Sequence, residues 1–213
     1  MKTTIASIVI TLLLSVSTNS FASSLSIETA LSNFNKAAAG DASAVGLARE
    51  QFQTLLNQYP EQPLYEARLG SLITMQARDA WAPWKKMSFS EQGLEYIDTA
   101  LERLNTKHEK QMIADLNVSL DVRYTAAITF SNLPRFFNRW GQAERILRQL
   151  TEAELLQQAP AVFQAQVWWA RAQLAKQREK MQEHKIFLQK VIELDASSPA
   201  AIQARTLLAE IEK

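Results

Sequence analysis

The chain has 213 residues and no cysteine, which excludes disulfides, thiolate metal sites, iron–sulfur clusters and a cysteine nucleophile. It has only five glycines, too widely spaced for a nucleotide-binding loop or a Gly-x-Ser-x-Gly elbow. Its 23 basic and 22 acidic side chains nearly cancel, so the basic excess that general nucleic-acid binding requires is missing. The absences therefore exclude several common classes of enzyme and nucleic-acid-binding protein.

Histidine is scarce as well. His108 and His184 are the only imidazoles, and neither belongs to a His-Glu-x-x-His zinc motif. Both have charged neighbours in sequence, and we interpret both as solvated surface residues. Carboxylate pairs such as Glu152 with Glu154 are routine on helical surfaces. We therefore predict a protein that is not an enzyme, with no catalytic residue, no metal site and no cofactor.

The N-terminus resembles an export signal. A short basic start precedes an apolar run from Ile5 to Val16, and Ser20-Phe21-Ala22 is typical of a signal-peptidase site. The alternative, a retained membrane anchor, is disfavoured because the run has about 12 residues where a bilayer span needs about 20. We expect cleavage after Ala22, which removes residues 1–22. Export without cysteine use favours a bacterial periplasmic, or secreted, protein.

Helical periodicity covers most of the remaining chain. Apolar residues recur at helical spacing in stripes such as Val45, Ala48, Phe52 and Leu55, and no segment alternates as a strand would. Proline and glycine fall mostly between the stripes, where helices end. These patterns predict an all-α fold.

Several segments resemble the tetratricopeptide repeat, a helical-repeat family. Ala48, Phe52, Leu55 and Pro60 have the spacing that closes one repeat, and Leu69-Gly70 match the first helix of the next after a period of 34 residues. Further matches are Gly93, Ile97, Ala100 and Leu101 in the second unit, and Trp168, Ala172, Leu188 and Val191 to Asp195 near the C-terminus.

The resemblance implies a right-handed solenoid of about four antiparallel helix pairs in one domain, residues 23–213, closed by a C-terminal capping helix. Small residues such as Gly70 and Gly93 would lie where helices cross closely. The segment from His108 to Pro160 fits poorly, because Pro134 falls where a first helix should be continuous. A generic helical bundle with coincidental spacing remains the alternative.

A departure from the repeat suggests a binding element. The second unit needs 11 extra residues between its two helices, and Ser88 with Glu91 forms a capping box that predicts a helix start after this loop. The predicted loop carries basic and aromatic side chains, of the types enriched at interaction sites: Arg78, Trp81, Trp84, Lys85 and Lys86. The alternative is that both tryptophans plug the core and the lysines are merely solvated.

Two functions remain open. The family resemblance implies a periplasmic interaction scaffold that binds a peptide or helix of an envelope protein, with Trp169 and Gln173 pointing into the groove while Trp168 packs inward. The alternative is a glycan- or small-molecule-binding protein, or an enzyme accessory subunit, that uses Trp81 and Trp84 as a stacking platform. Exposed, parallel indoles would favour the second function.

Overall fold

The computed structural model describes the backbone of residues 18–211 and the side chains of residues 27–211. The predicted signal peptide therefore lies outside the described residues except for residues 18–22, which belong to the first helix. Helices dominate this part of the chain, so the predicted all-α fold is confirmed. They are α1 (Thr18–Ala38), α2 (Ala42–Gln58), α3 (Pro63–Asp79), α4 (Pro83–Glu102), α5 (Val118–Asn132), α6 (Trp140–Glu152), α7 (Glu154–Gln157), α8 (Ala161–Gln177), α9 (Met181–Leu194) and α10 (Pro199–Ile211).

Two short elements interrupt the helices. Strands β1 (Met112–Ile113) and β2 (Leu116–Asn117) form an antiparallel hairpin before α5. A 3-10 helix, Arg135–Phe137, follows Pro134 between α5 and α6. Pro134 therefore lies in a turn and does not interrupt a helix, so the segment that fitted the repeat poorly still contains two full helices, α5 and α6.

The start of α4 differs from the prediction. The helix begins at Pro83, and only three residues separate it from α3. Ser88 and Glu91 lie inside α4 and do not cap it, so the predicted 11-residue loop is wrong. Proline at the first helical position explains the earlier start, because its fixed φ suits a helix and it lacks an N–H that would be unpaired there. The extra residues lengthen α4.

The predicted apolar stripes face the interior. Buried residues form three clusters that follow one another along the chain. The first cluster involves mainly α1, α2 and α3; the second mainly α4, α5, α6 and α8; and the third α8, α9 and α10. Within the described residues, each helix thus packs mostly on helices that are near it in sequence.

Gly70 and Gly93 mark a close crossing between α3 and α4. A Cβ built on Gly70 would lie 2.6 Å from the backbone oxygen of Gly93, and a Cβ on Gly93 would lie 2.5 Å from the oxygen of Gly70. Real side chains do not approach backbone so closely. The prediction that small residues permit a close crossing here is confirmed.

Among the described residues, no helix combines the length and the apolar character that crossing a membrane requires.

Both histidines are buried, so the prediction of solvated surface residues is wrong. His184 lies between α8 and α9, and its Nδ1 is 2.8 Å from the carbonyl oxygen of Ala172. Because a carbonyl oxygen can only accept a hydrogen bond, Nδ1 of His184 carries the proton. The other ring nitrogen, Nε2, is buried and has no hydrogen-bond partner. His108 Nδ1 accepts a hydrogen bond from the backbone N–H of Asn105 at 3.2 Å. Burial lowers the pKa of both side chains below the usual value of 6.5.

This burial predicts loss of stability in mild acid. Above pH 6.5, His184 is neutral in both the folded and the unfolded chain. Below pH 6.5, His184 becomes protonated in the unfolded chain, whereas in the folded chain it stays neutral until the pH reaches its lower pKa. Acid therefore favours the unfolded chain, and the free energy of unfolding falls. The slope from His184 is at most about 1.4 kcal/mol per pH unit. Denaturant melts between neutral pH and mild acid should show a flatter pH dependence for His184→Gln than for the wild type, and parallel curves would contradict the assignment.

Candidate functional site

One cavity of about 420 Å³ is lined by four helices that are distant in sequence. Its walls include Leu31 of α1, Met75 of α3, Ile128 of α5 and Phe163 of α8, together with the β1–β2 hairpin. Each of these helices comes first in one of the sequential pairs α1/α2, α3/α4, α5/α6 and α8/α9. We call this cavity the first-helix groove.

A buried ion pair forms the base of the groove. Arg68 of α3 donates a hydrogen bond to Asp121 of α5, and both side chains are almost fully buried. The guanidinium also lies 4.1 Å from the ring centre of Phe34 on α1, and its Nε has no partner. Thr125 donates a further hydrogen bond to Asp121 at 3.3 Å. This cluster joins three successive first helices.

The remaining surface of the groove mixes apolar and polar groups. Tyr124 packs edge to face on Phe163 with ring centres 5.2 Å apart. Burial raises the pKa of Tyr124 to about 12, so its hydroxyl stays protonated at neutral pH. Asn35 of α1 and Gln166 of α8 are exposed and line the cavity. The lining of the groove thus combines apolar side chains with hydroxyl and amide groups.

The hairpin that borders the groove has an unusual turn. Ala114 and Asp115 both have positive φ, 48° and 63°, in the left-handed region where alanine is disfavoured. Ala114 is exposed and lines the groove. Strained backbone of this kind tends to occur at ligand-binding sites.

A second surface lies where α3 meets α4 and α5 meets the 3-10 helix. Four exposed apolar side chains, Trp81, Trp84, Met87 and Phe136, define what we call the aromatic edge. Met87 and Phe136 line one cavity of about 560 Å³. No residue lines both this cavity and the first-helix groove.

The five predicted binding residues of the supposed loop are all exposed. Arg78 and Lys86 line the cavity at the aromatic edge, and Trp84, Lys85 and Lys86 belong to the first turn of α4. The alternative that the tryptophans plug the core is therefore wrong. The indoles meet edge to face at 73°, with centres 5.9 Å apart, so they do not form the parallel platform that favoured a glycan ligand.

Neither of the predicted groove residues of α8, Trp169 and Gln173, lines the first-helix groove, although Gln166 does. Trp169 and Gln173 follow Gln166 by three and seven positions, which places all three on one side of the helix. Trp169 is partly buried against the α8–α10 cluster and is not the freely exposed anchor we expected. Trp168 packs on Phe187 with ring centres 5.6 Å apart. It is also only partly buried against the same cluster, so the two indoles do not show the predicted contrast between an inward and a groove-facing side chain.

Comparisons of this chain with known protein families, with curated proteins and with solved structures find no match. Sequence reasoning did not identify the first-helix groove residues Arg68, Asp121 and Tyr124. The only available signal was the position of Arg68 on the polar side of a predicted first helix, and nothing local indicates a partner 53 residues away.

Proposed function

We propose that the chain is a tetratricopeptide-like solenoid of four helix pairs, with α10 as the cap, and that its first-helix groove binds a segment of a partner protein. The observation that carries this proposal is that all four first helices line one cavity. In a stack of helix pairs, the first helices share one face, and ligands bind on that face.

The order of the packing supports the same proposal. Buried residues form clusters that succeed one another along the chain. A stack in which each unit contacts its neighbours produces this sequential core, because a single helix pair cannot bury its apolar side alone. The contacts of α1 with α3, and of α3 with α5, are those expected between consecutive first helices.

The chemistry of the groove specifies the kind of segment. Leu31, Met75 and Phe163 offer apolar surface, while the amides of Asn35 and Gln166 offer hydrogen bonds to peptide groups. Arg68 is neutralised by Asp121, so the base attracts no net charge. A short amphipathic peptide that presents apolar side chains inward fits this surface.

Blocking the groove tests the proposal. Asn35→Arg with Gln166→Arg places two long charged side chains at its exposed rim, where they leave the core intact. We expect the tagged wild-type protein to retain a discrete partner from envelope extract, and the blocked variant to retain at least about tenfold less, because the two arginines together need to weaken binding by only about 1.4 kcal/mol to give that factor.

Matched controls are available on the second helices. Gln92 of α4 and Gln149 of α6 are exposed and line neither cavity. Gln92→Arg with Gln149→Arg adds the same charge elsewhere and should leave the retained partner unchanged. If the control variant loses the partner and the groove variant keeps it, the groove assignment fails.

We propose further that the protein is exported to the periplasm and cleaved after Ala22. The support is the basic start, the apolar run and the small residues at positions 20 and 22. N-terminal sequencing of protein from the periplasmic fraction should begin at Ser23. A full-length chain in the membrane pellet would contradict export as a cleaved protein.

A further inference from the structure

Three aromatic side chains of the aromatic edge are the most exposed large apolar residues in the described part of the chain. Trp81 is 82% exposed, Phe136 70% and Trp84 67%. Leaving such side chains in water is unfavourable, and contiguous exposed apolar patches mark interaction sites. We therefore consider the aromatic edge a candidate interaction surface.

The aromatic edge combines two neighbouring helix connections. Trp81 lies in the three-residue turn between α3 and α4, and Trp84 is the second residue of α4. Phe136 belongs to the 3-10 helix after α5. Pro83 and Met87 of α4 line the same apolar cavity as Phe136, which places the two connections side by side. Trp81 and Trp84 pack edge to face on each other and Phe136 packs on Phe137, but all three rings remain mostly exposed.

Basic residues adjoin two of these rings in the sequence, since Lys85 follows Trp84 and Arg135 precedes Phe136. Lys85, Lys86 and Arg135 are exposed and form no ion pair with any described residue. Arg78 is paired with Asp79 at 2.8 Å. The first turn of α4 has no acidic residue, although acidic residues are the ones a helix N-terminus favours. Of these three cations, Lys86 lines the cavity at the aromatic edge, whereas Arg135 lines a separate cavity that also includes Glu179.

We propose that the aromatic edge docks the protein on an anionic lipid bilayer. Indole rings prefer the headgroup level of a membrane, where the apolar ring is covered and the N–H stays hydrated. Lys85, Lys86 and Arg135 would meet lipid phosphates, and each basic residue near an anionic surface strengthens binding. Projecting rings flanked by cations suit a broad anionic surface better than a narrow acidic peptide. This docking is separate from the first-helix groove, which stays open to its own ligand.

Vesicle binding tests the proposal on protein recovered from cells, with its N-terminus identified by mass spectrometry. The wild type should sediment with vesicles that contain phosphatidylglycerol and should bind vesicles of pure phosphatidylcholine much less. Trp81→Ala with Trp84→Ala, and separately Lys85→Glu with Lys86→Glu, should each lower the partition coefficient at least about tenfold. Added salt should weaken wild-type binding more than binding of the lysine variant.

Tryptophan emission gives a second readout. The chain has five tryptophans, and of these only Trp81 and Trp84 are exposed. Anionic vesicles should shift the emission of the wild type to shorter wavelength and allow quenching by brominated lipid. The Trp81→Ala, Trp84→Ala variant should show neither effect.

The control variants carry matched changes elsewhere. Ile202→Ser removes an exposed apolar side chain, and Lys107→Glu with Lys110→Glu reverses two exposed charges; these variants should bind vesicles as the wild type does. Asn35→Arg with Gln166→Arg should also bind normally, which separates docking from the groove. Equal binding by the wild type and the aromatic-edge variants would overturn the proposal, as would binding to polyglutamate without binding to vesicles.

Discussion

Replacing Asp121 by alanine is expected to lower the free energy of unfolding by about 3–5 kcal/mol. The substitution leaves the Arg68 guanidinium buried beneath the first-helix groove without its counter-ion. The guanidinium is only 11% exposed, so water replaces little of the lost interaction. Denaturant melts of the wild type and Asp121→Ala give the difference directly.

A double substitution shows that the loss comes from the unpaired charge. Arg68→Met with Asp121→Leu removes both ions and keeps the volume near that of the original pair. Apolar replacements of buried ion pairs are often neutral, so this variant should be markedly more stable than Asp121→Ala alone. A loss below about 1 kcal/mol in Asp121→Ala would mean that the guanidinium reaches water, and would contradict the buried pair.

The second large effect is expected at the α3–α4 crossing. Gly70→Ala adds a Cβ that would lie 2.6 Å from the backbone oxygen of Gly93. Backbone cannot yield as a flexible side chain does, so the two helices must move apart. Overpacking of this kind costs about 1–3 kcal/mol, and Gly70→Leu should cost more than Gly70→Ala.

Gly46 provides the matched control. It lies inside α2, and a Cβ added there meets no atom within 4 Å. Gly46→Ala should therefore raise the free energy of unfolding by about 0.5–1 kcal/mol, because alanine favours the helix. If both glycine variants change the free energy of unfolding in the same direction, the close crossing of α3 and α4 does not explain the glycine at position 70.

Local patterns predicted much of the helical fold. The stripe from Val45 to Leu55 is buried as expected, since a helix places residues three and four apart on one side. Gly70 was assigned to a crossing because glycine inside a helix needs a packing reason.

Other features were missed because several local signals compete. The capping-box spacing of Ser88 and Glu91 pointed to a helix start, but Pro83 is an equally good start and lies earlier. The β1–β2 hairpin has Ala114 and Asp115 in its turn, where glycine or asparagine is the usual signal. His184 has polar neighbours in sequence, yet its ring faces α8.

Of the two candidate sites, the sequence identified the aromatic edge in part and did not identify the first-helix groove. Trp81 and Trp84 were singled out by residue type, and the structure shows that both are exposed. The first-helix groove combines side chains from Leu31 to Gln166, and no short segment contains it. Its base depends on the pairing of Arg68 with Asp121. Such a site becomes visible only when the packing of successive helices is known.

Photo-crosslinking tests the proposed function most directly. A benzoylphenylalanine placed at Gln166 in living cells reports what occupies the first-helix groove, and the same group at Gln149 reports on the second-helix side. We predict a discrete adduct from position 166, mapped by mass spectrometry to one short segment of one protein, and none from position 149. An adduct from position 149 with none from position 166 or position 35 would contradict binding in the groove.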